Sequence, residues 1–447
     1  MTWWEGQPET PAAPLDDEKQ MDDEERWPMP ISGRSHDGVF FRLRGLRAVI
    51  ILAGIFSPVT DAVALWNDKL ELFAAERITY DSNVFRLSSG VDPATVTGSS
   101  SKGDSYATTD LGFRFDVPVS RQRFLGDWAW NDNRYNKFTE LDYLGHHGRA
   151  VWEWQAGNDL SGELGFAESQ SLASLANLQN GTQSSTPNPL YRRNSFFNAA
   201  YMLTPRWRLK GDLTKSKEEN GAPEFQVNDG SINGTGLTVS YITPAANELG
   251  VNVRFSDASY AIRQPVAGSL IDNAYRQRNV ALVFAWTNGD KSRLRAQLGQ
   301  VNRSYDELPE RDYQATTYHV AYDWKAIGKL TLTAEARRDI SETEEVYTGF
   351  VFLQGVALRP AFQLTQKMTL SAALEYNKWD YLGDPGLALG TVQPRTDKVR
   401  SAVLFLTYRP LQHVSLEASV RRDTRTSTAD FGDYETNIIS ASARIGF

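Results

Sequence analysis

Four histidines lie beyond residue 64: His146, His147, His319 and His413. By type they are the residues best suited to proton transfer or metal ligation, and neither chemistry finds its partners in the sequence. A nucleophile–histidine–carboxylate set or a metal set needs side chains that converge. His146 and His147 are neighbours, so in an extended chain they point apart. The chain has no cysteine, which removes thiolate ligands and thiol nucleophiles. It also lacks a glycine-rich dinucleotide fingerprint and a phosphate-binding loop. The expectation is a non-enzymatic chain with no catalytic residues, no metal and no cofactor.

A second set of polar residues is spaced with more order. In "KLTLTAEARRD", Leu330, Leu332, Ala334 and Ala336 alternate with Thr331, Thr333, Glu335 and Arg337. In "TLSAALEYN", Leu370, Ala372, Leu374 and Tyr376 alternate with Ser371, Ala373, Glu375 and Asn377. In "SLEASVRRD", Leu416, Ala418 and Val420 oppose Glu417, Ser419 and Arg421. Period two marks strands with one apolar and one polar face. The polar face carries too many charges to pack in a dry interior without a large desolvation cost. The cost falls away if that face lines water and the apolar face meets lipid, with every backbone group paired by closing the sheet. Glu335, Arg337, Glu375, Asn377, Glu417 and Arg421 are therefore candidate pore-lining residues.

The elements that must position them repeat along the chain. Short turns fall near Val117, Ala156, Leu203, Thr243, Thr287, Lys325, Leu364 and Arg409, where Pro, Gly, Asn and Asp supply the dihedrals of tight hairpins. Longer polar connections alternate with them, as at Ser88–Ser105, Ser169–Pro189 and Tyr381–Thr396. The count predicts an all-β transmembrane antiparallel up-and-down barrel of about 18 strands, with short periplasmic turns and longer extracellular loops. No segment beyond residue 64 shows a helical period, and only the loop at 172–180 could form one helical turn or two. Trp286, Trp324, Tyr201, Tyr241 and Tyr408 precede short turns, and Trp379, Tyr381, Tyr305 and Tyr260 lie at the far strand ends. The expectation is two interfacial aromatic belts. Trp379 and Tyr381 are also candidates for stacking on a sugar ring.

Bulk properties agree with that class. Mean hydropathy is −0.44, and the longest apolar run, Ala48–Phe56, is about half the ~20 residues of a membrane helix. Arg42, Arg44 and Arg47 precede that run and Ala62-Val63-Ala64 follows it, the three-part pattern of a secretory signal peptide. The division expected is 1–41 as an N-terminal extension, most simply a start assigned too far upstream, 42–64 as signal peptide cut between Ala64 and Leu65, and 65–447 as barrel. Residues 1–64 hold 6 Lys/Arg and 11 Asp/Glu, five of the eight formal negative charges. The rest is nearly balanced and offers no basic patch for nucleic acid.

Two stretches carry resemblances. The last strand places Phe447, Ile445, Ala443, Ala441 and Ile439 on one face, and it resembles the C-terminal signal of bacterial outer-membrane barrels. That implies Phe447 and Ile445 as its recognition residues, with the barrel-assembly machinery and outer-membrane lipid as partners. "DKLELFAAERITYDSNVFRLS", Asp68–Ser88, looks like the opening strand of the β-barrel porins of exopolysaccharide operons, the EpsL-like group; "YDSNVFRL", Tyr80–Leu87, is its most specific piece. "LTAEARRDI", "LSAALEYNKWDYLG" and "LEASVRRDTRTS" are similar to the same group, so the likeness runs over most of 68–447. The unusual N-terminal extension departs from it. The resemblance implies a channel in the bacterial outer membrane that passes or anchors a polysaccharide, with periplasmic export components as further partners. The alternatives are a general diffusion porin or a plugged surface-binding barrel.

Overall fold

The computed structural model describes residues 69–447 apart from 177, 180–181, 184–185, 267–268, 342–349 and 383–394. The extension, the signal peptide and its Ala64–Leu65 junction lie outside the described residues.

Alternating sequence produces strands almost throughout. In chain order they are β1 (Leu70–Asp81), β2 (Asp104–Val119), β3 (Gln122–Tyr135), β4 (Tyr143–Ala156), β5 (Leu160–Leu172), β6 (Leu178–Gln179), β7 (Thr182–Gln183), β8 (Pro189–Thr204) and β9 (Trp207–Asn220). Then follow β10 (Gly230–Ile242), β11 (Glu248–Tyr260), β12 (Gln264–Val266), β13 (Ser269–Ile271), β14 (Tyr275–Asn288), β15 (Ser292–Tyr305), β16 (Tyr313–Ile327) and β17 (Leu330–Ser341). The chain finishes with β18 (Phe350–Thr365), β19 (Met368–Leu382), β20 (Arg395–Leu411), β21 (Val414–Ser427) and β22 (Tyr434–Gly446). The pairs β6–β7 and β12–β13 are small hairpins within two of the long connections. The other 18 strands form one antiparallel sheet, and pairing of β1 with β22 closes it into a barrel.

All eight expected turns are present. Gly289 shows why the turn residues are needed, since its φ of 56° is in the left-handed region open to glycine. No helix occurs among the described residues of 172–180; β5 runs to Leu172, and Leu178–Gln179 pairs with Thr182–Gln183. Among the described residues the one α-helical turn is Pro93–Thr97, where the Asp92 carboxylate accepts from the Ala94 N–H and Gly98 takes the left-handed conformation after it.

Directly paired residues point to the same side, so the register assigns a face to every position. The chain Ala321↔Glu335↔Ala357↔Glu375↔Ser401↔Asp423↔Thr436 continues around all 18 strands without losing phase. Large exposed apolar residues fall on the other phase, among them Leu72, Leu111, Leu164, Leu213, Leu282, Leu298, Leu374, Leu404 and Leu416. They face outward, and Leu332 shares their side. Glu76 departs from the pattern: it lies on the outward phase of β1, buried, and accepts from the Thr109 hydroxyl at 2.6 Å.

The aromatic belts need one correction. At the turn end Tyr201, Trp324 and Tyr408 are outward and exposed, and Trp207 packs edge-on to Tyr241 at 5.4 Å. At the loop end the expected four rings, Trp379, Tyr381, Tyr305 and Tyr260, all stand on the inward phase. Strand parity outweighs position along the strand: Trp379 and Tyr381 must follow Glu375 and Asn377. Outward rings near that end are Tyr318 and Tyr376.

The two faces predict opposite responses to charge. Leu404→Arg places a guanidinium on the outward face in the body of β20 and should cost about 2–4 kcal/mol. Ser401→Arg, inward between Glu375 and Asp423, should be near neutral. Urea unfolding of the protein reconstituted in vesicles measures both, and equal costs would contradict the assignment of faces.

Candidate functional site

The inward face is built from side chains that link one strand to the next. On β16 to β19, His319 Nε2 lies 3.1 Å from Glu335 Oε1, Arg359 Nη1 donates to Glu335 Oε2 at 2.7 Å, and Arg359 Nη2 donates to Glu375 Oε1 at 2.8 Å. One guanidinium thus bridges two carboxylates across three strands. Arg337 and Asn377 complete the recess lined by these groups. Gly355 makes room for it, because a Cβ there would stand 2.2 Å from Asn377 Oδ1. Four of the six polar candidates therefore meet in one place. Glu417 and Arg421 lie on β21, where Arg421 Nε donates to Asp423 at 2.7 Å and Glu417 is exposed.

Similar pairs continue around the wall. Arg295 donates to Asp323 at 3.0 Å, Arg208 pairs with Glu248 at 2.5 Å, Arg254 binds Asp212 and Thr214, and Arg444 donates to Glu71 at 2.9 Å. Such pairs hold long side chains against the wall and leave both signs of charge facing the interior. The four histidines separate. His319 is in the ladder, His147 is inward on β4, His146 is outward against Glu168 at 3.0 Å, and His413 is in a turn.

Sequence reasoning found the Tyr80–Leu87 segment without its structural role. It opens the β1–β2 connection. The Asp81 carboxylate accepts from the Asn83 N–H at 2.5 Å and from Arg86 at 3.1 Å. The Asn83 amide then clasps Leu87 twice, accepting from its N–H and donating to its carbonyl, each at 2.8 Å. It also donates to the Glu435 carbonyl at 3.2 Å, and the Ser82 hydroxyl accepts from the Asn437 N–H at 2.6 Å. These bonds tie the loop across the β1–β22 seam. Arg86 adopts φ 55°, a strained conformation for a side-chain-bearing residue, held by the Asp81 pair. Phe85 and Leu87 are thereby driven into an apolar cluster with Val84, Phe138 and Leu141 from the β3–β4 connection.

The inner wall at the loop end is closely packed. Asp81, Thr79, Asp397 and Thr436 are inward yet fully buried, and Arg425 is 2% exposed. Arg425 stacks over Tyr434 at 4.8 Å and donates to the Gly432 carbonyl at 2.6 Å, while Arg395 stacks over Tyr381 at 4.2 Å. Tyr381 is thus engaged by a guanidinium. Across the barrel, Tyr275, Tyr305, Ala258 and Leu308 form a second cluster, with Arg303 3.7 Å above the Tyr275 ring. Beside it, the Asp272 N–H and the Arg263 guanidinium hold the Glu307 carboxyl below the usual carboxylate range.

Residues 284–447 match the protein family described as "Putative beta-barrel porin 2". No curated protein matches the chain. Among solved structures it is similar to OpdK of Pseudomonas aeruginosa, crystallised with vanillate, at 12% identity and a TM-score of 0.46, over 85% of this chain and 99% of that one. It is likewise similar to OccK2 (OpdF) of Pseudomonas aeruginosa in complex with glucuronate, at 14% identity and a TM-score of 0.45, over 85% and 98%. A BenF-like porin from Pseudomonas fluorescens Pf-5 aligns at 12% identity and a TM-score of 0.43, also over 85% and 98%. The closed 18-stranded antiparallel barrel with an apolar outward face defines the class, a transmembrane β-barrel of the outer-membrane kind, and its C-terminal part, residues 284–447, is the part that matches a porin family.

Removing the Asn83 amide tests the role of the mouth loop. Asn83→Ala leaves the Leu87 N–H and carbonyl without partners, at about 1–3 kcal/mol for each buried group. Proteolytic nicking within Ser88–Gly103 should then accelerate about tenfold or more, with the barrel still folded. Nicking at the original rate would show that the loop is held by other contacts.

Proposed function

We propose that this porin is a water-filled channel for hydroxyl-rich solutes, and that an exopolysaccharide is the polymer it passes or anchors. The observation that carries the channel reading is the inward wall of paired, opposite charges typified by Glu335, Arg359 and Glu375. Guanidinium and carboxylate groups of mixed sign offer hydrogen bonds to hydroxyls while avoiding a single-sign field that would trap a charged solute. Arg337, Asn377, Glu417 and Arg421 act as further pore-lining groups. Trp379 stands on the same inward phase near the outer mouth and is the stacking candidate that stays, whereas the Tyr381 ring is buried beneath Arg395 and offers no free face. The polysaccharide rests on the resemblance at Tyr80–Leu87. Phe447 and Ile445 are the proposed recognition residues for the barrel-assembly machinery, and outer-membrane lipid and periplasmic export components are further partners.

A second reading, a gated pore for small polar solutes, is favoured by the burial of Asp397 and Arg425 on the inner wall at the loop end. A polymer needs that packed mouth to yield; a small solute does not.

Planar-bilayer conductance separates these readings. The wild-type protein should open water-filled channels, and surface polysaccharide should block them from one side. Glu335→Gln with Glu375→Gln removes two negative charges beside Arg359. The reversal potential in a salt gradient should move toward anion preference, by roughly twofold in permeability ratio. Unchanged selectivity would remove the ladder from the pore, and unaltered surface polysaccharide after gene deletion would remove the exopolysaccharide assignment.

A further inference from the structure

The outward face carries a charge pattern that a channel does not require. In the half of the barrel next to the short turns, the outward strand positions among the described residues hold no lysine or arginine. Cations appear on this face only at the loop end, immediately above the last large apolar residues. The densest group is on β19 to β21. There Lys378, Lys398, Arg400 and Arg422 stand just above Leu374, Tyr376, Leu404 and Val420.

Two of the four are neutralised within the protein. Lys378 pairs with Asp380 at 2.8 Å and Arg422 with Glu435 at 2.7 Å. Lys398 and Arg400 are exposed, and neither has an ion-pair partner among the described residues. Lys398 also lies directly opposite Lys378 in the register. Like charges in directly opposed positions destabilise a sheet unless an anion stands between them.

We infer that Lys398 and Arg400, flanked by Lys378 and Arg422, bind a phosphate group carried by a glycolipid of the outer leaflet. Direction and depth both select a lipid-borne source. The side chains point away from the lumen, and they sit where the apolar band gives way to the headgroup level. A phosphate monoester offers close to two negative charges and several acceptor oxygens, which match an ammonium beside a guanidinium. Placement on the loop side alone matches a membrane whose two leaflets differ in headgroup. This inference concerns the outer surface and is independent of what the lumen passes.

The test uses the full chain reconstituted in phosphatidylcholine nanodiscs, with heat-induced unfolding as readout. Bisphosphorylated lipid A should raise the unfolding midpoint, and dephosphorylated lipid A should not. Lys398→Gln with Arg400→Gln should weaken the apparent lipid affinity about twentyfold, since each basic residue near a charged surface contributes roughly fivefold. Lys398→Arg with Arg400→Lys should retain it, which separates loss of charge from loss of folding. Equal stabilisation by dephosphorylated lipid A, equal stabilisation by inorganic phosphate in lipid A-free discs, or full lipid A response in the glutamine variant would each overturn the assignment.

Discussion

The architecture follows from one constraint: a peptide group in hydrocarbon finds no water, so its N–H and C=O must pair within the protein. An open sheet leaves an edge, and an edge in lipid is costly. The contact of β1 with β22 is therefore the bond on which the rest depends. It joins residues more than 350 positions apart in sequence, through the register Thr79↔Ser440 and the mutual Leu72–Phe447 backbone hydrogen bonds at 3.2 and 2.8 Å. Once the ring is closed, period-two alternation leaves no further choice. One phase must meet lipid and the other must meet the interior.

Function follows from how the interior phase is filled. Its charges are linked across strands, so the wall is of mixed sign and its long side chains are held in pairs. The outer mouth differs in kind. There Asp81, Asn83 and Arg86 tie the β1–β2 connection across the seam, and buried aspartates and arginines pack with tyrosine rings. The same segment thus secures the seam and seeds the apolar cluster of Phe85, Leu87 and Phe138. The outward face adds a third surface, apolar in its body and cationic only at the loop end.

Much of this was legible in the sequence because strands encode their faces with a period of two. Leu332, Leu374 and Leu416 against Glu335, Glu375 and Glu417 suffice to orient three strands, and Pro, Gly, Asn and Asp locate the eight turns. The far-end rings show where such reading fails. Trp379, Tyr381, Tyr305 and Tyr260 were grouped by nearness to strand ends, whereas parity places them inside with the arginines. The clasp at Asn83 is harder still to anticipate. Its partners include Glu435 and Asn437, and only the closed ring brings those strands together. The Gly355–Asn377 fit is likewise a matter of register between β18 and β19, which composition does not reveal.

A chain without cysteine permits a direct test of the two-faced wall. Single Glu375→Cys and Leu374→Cys variants, adjacent on β19, differ only in the side to which the thiol points. After reconstitution in vesicles, a membrane-impermeant maleimide should label position 375 rapidly and leave 374 unreacted, while a lipid-soluble maleimide reaches 374. Labelling of 374 by the aqueous reagent with protection of 375 would contradict the account.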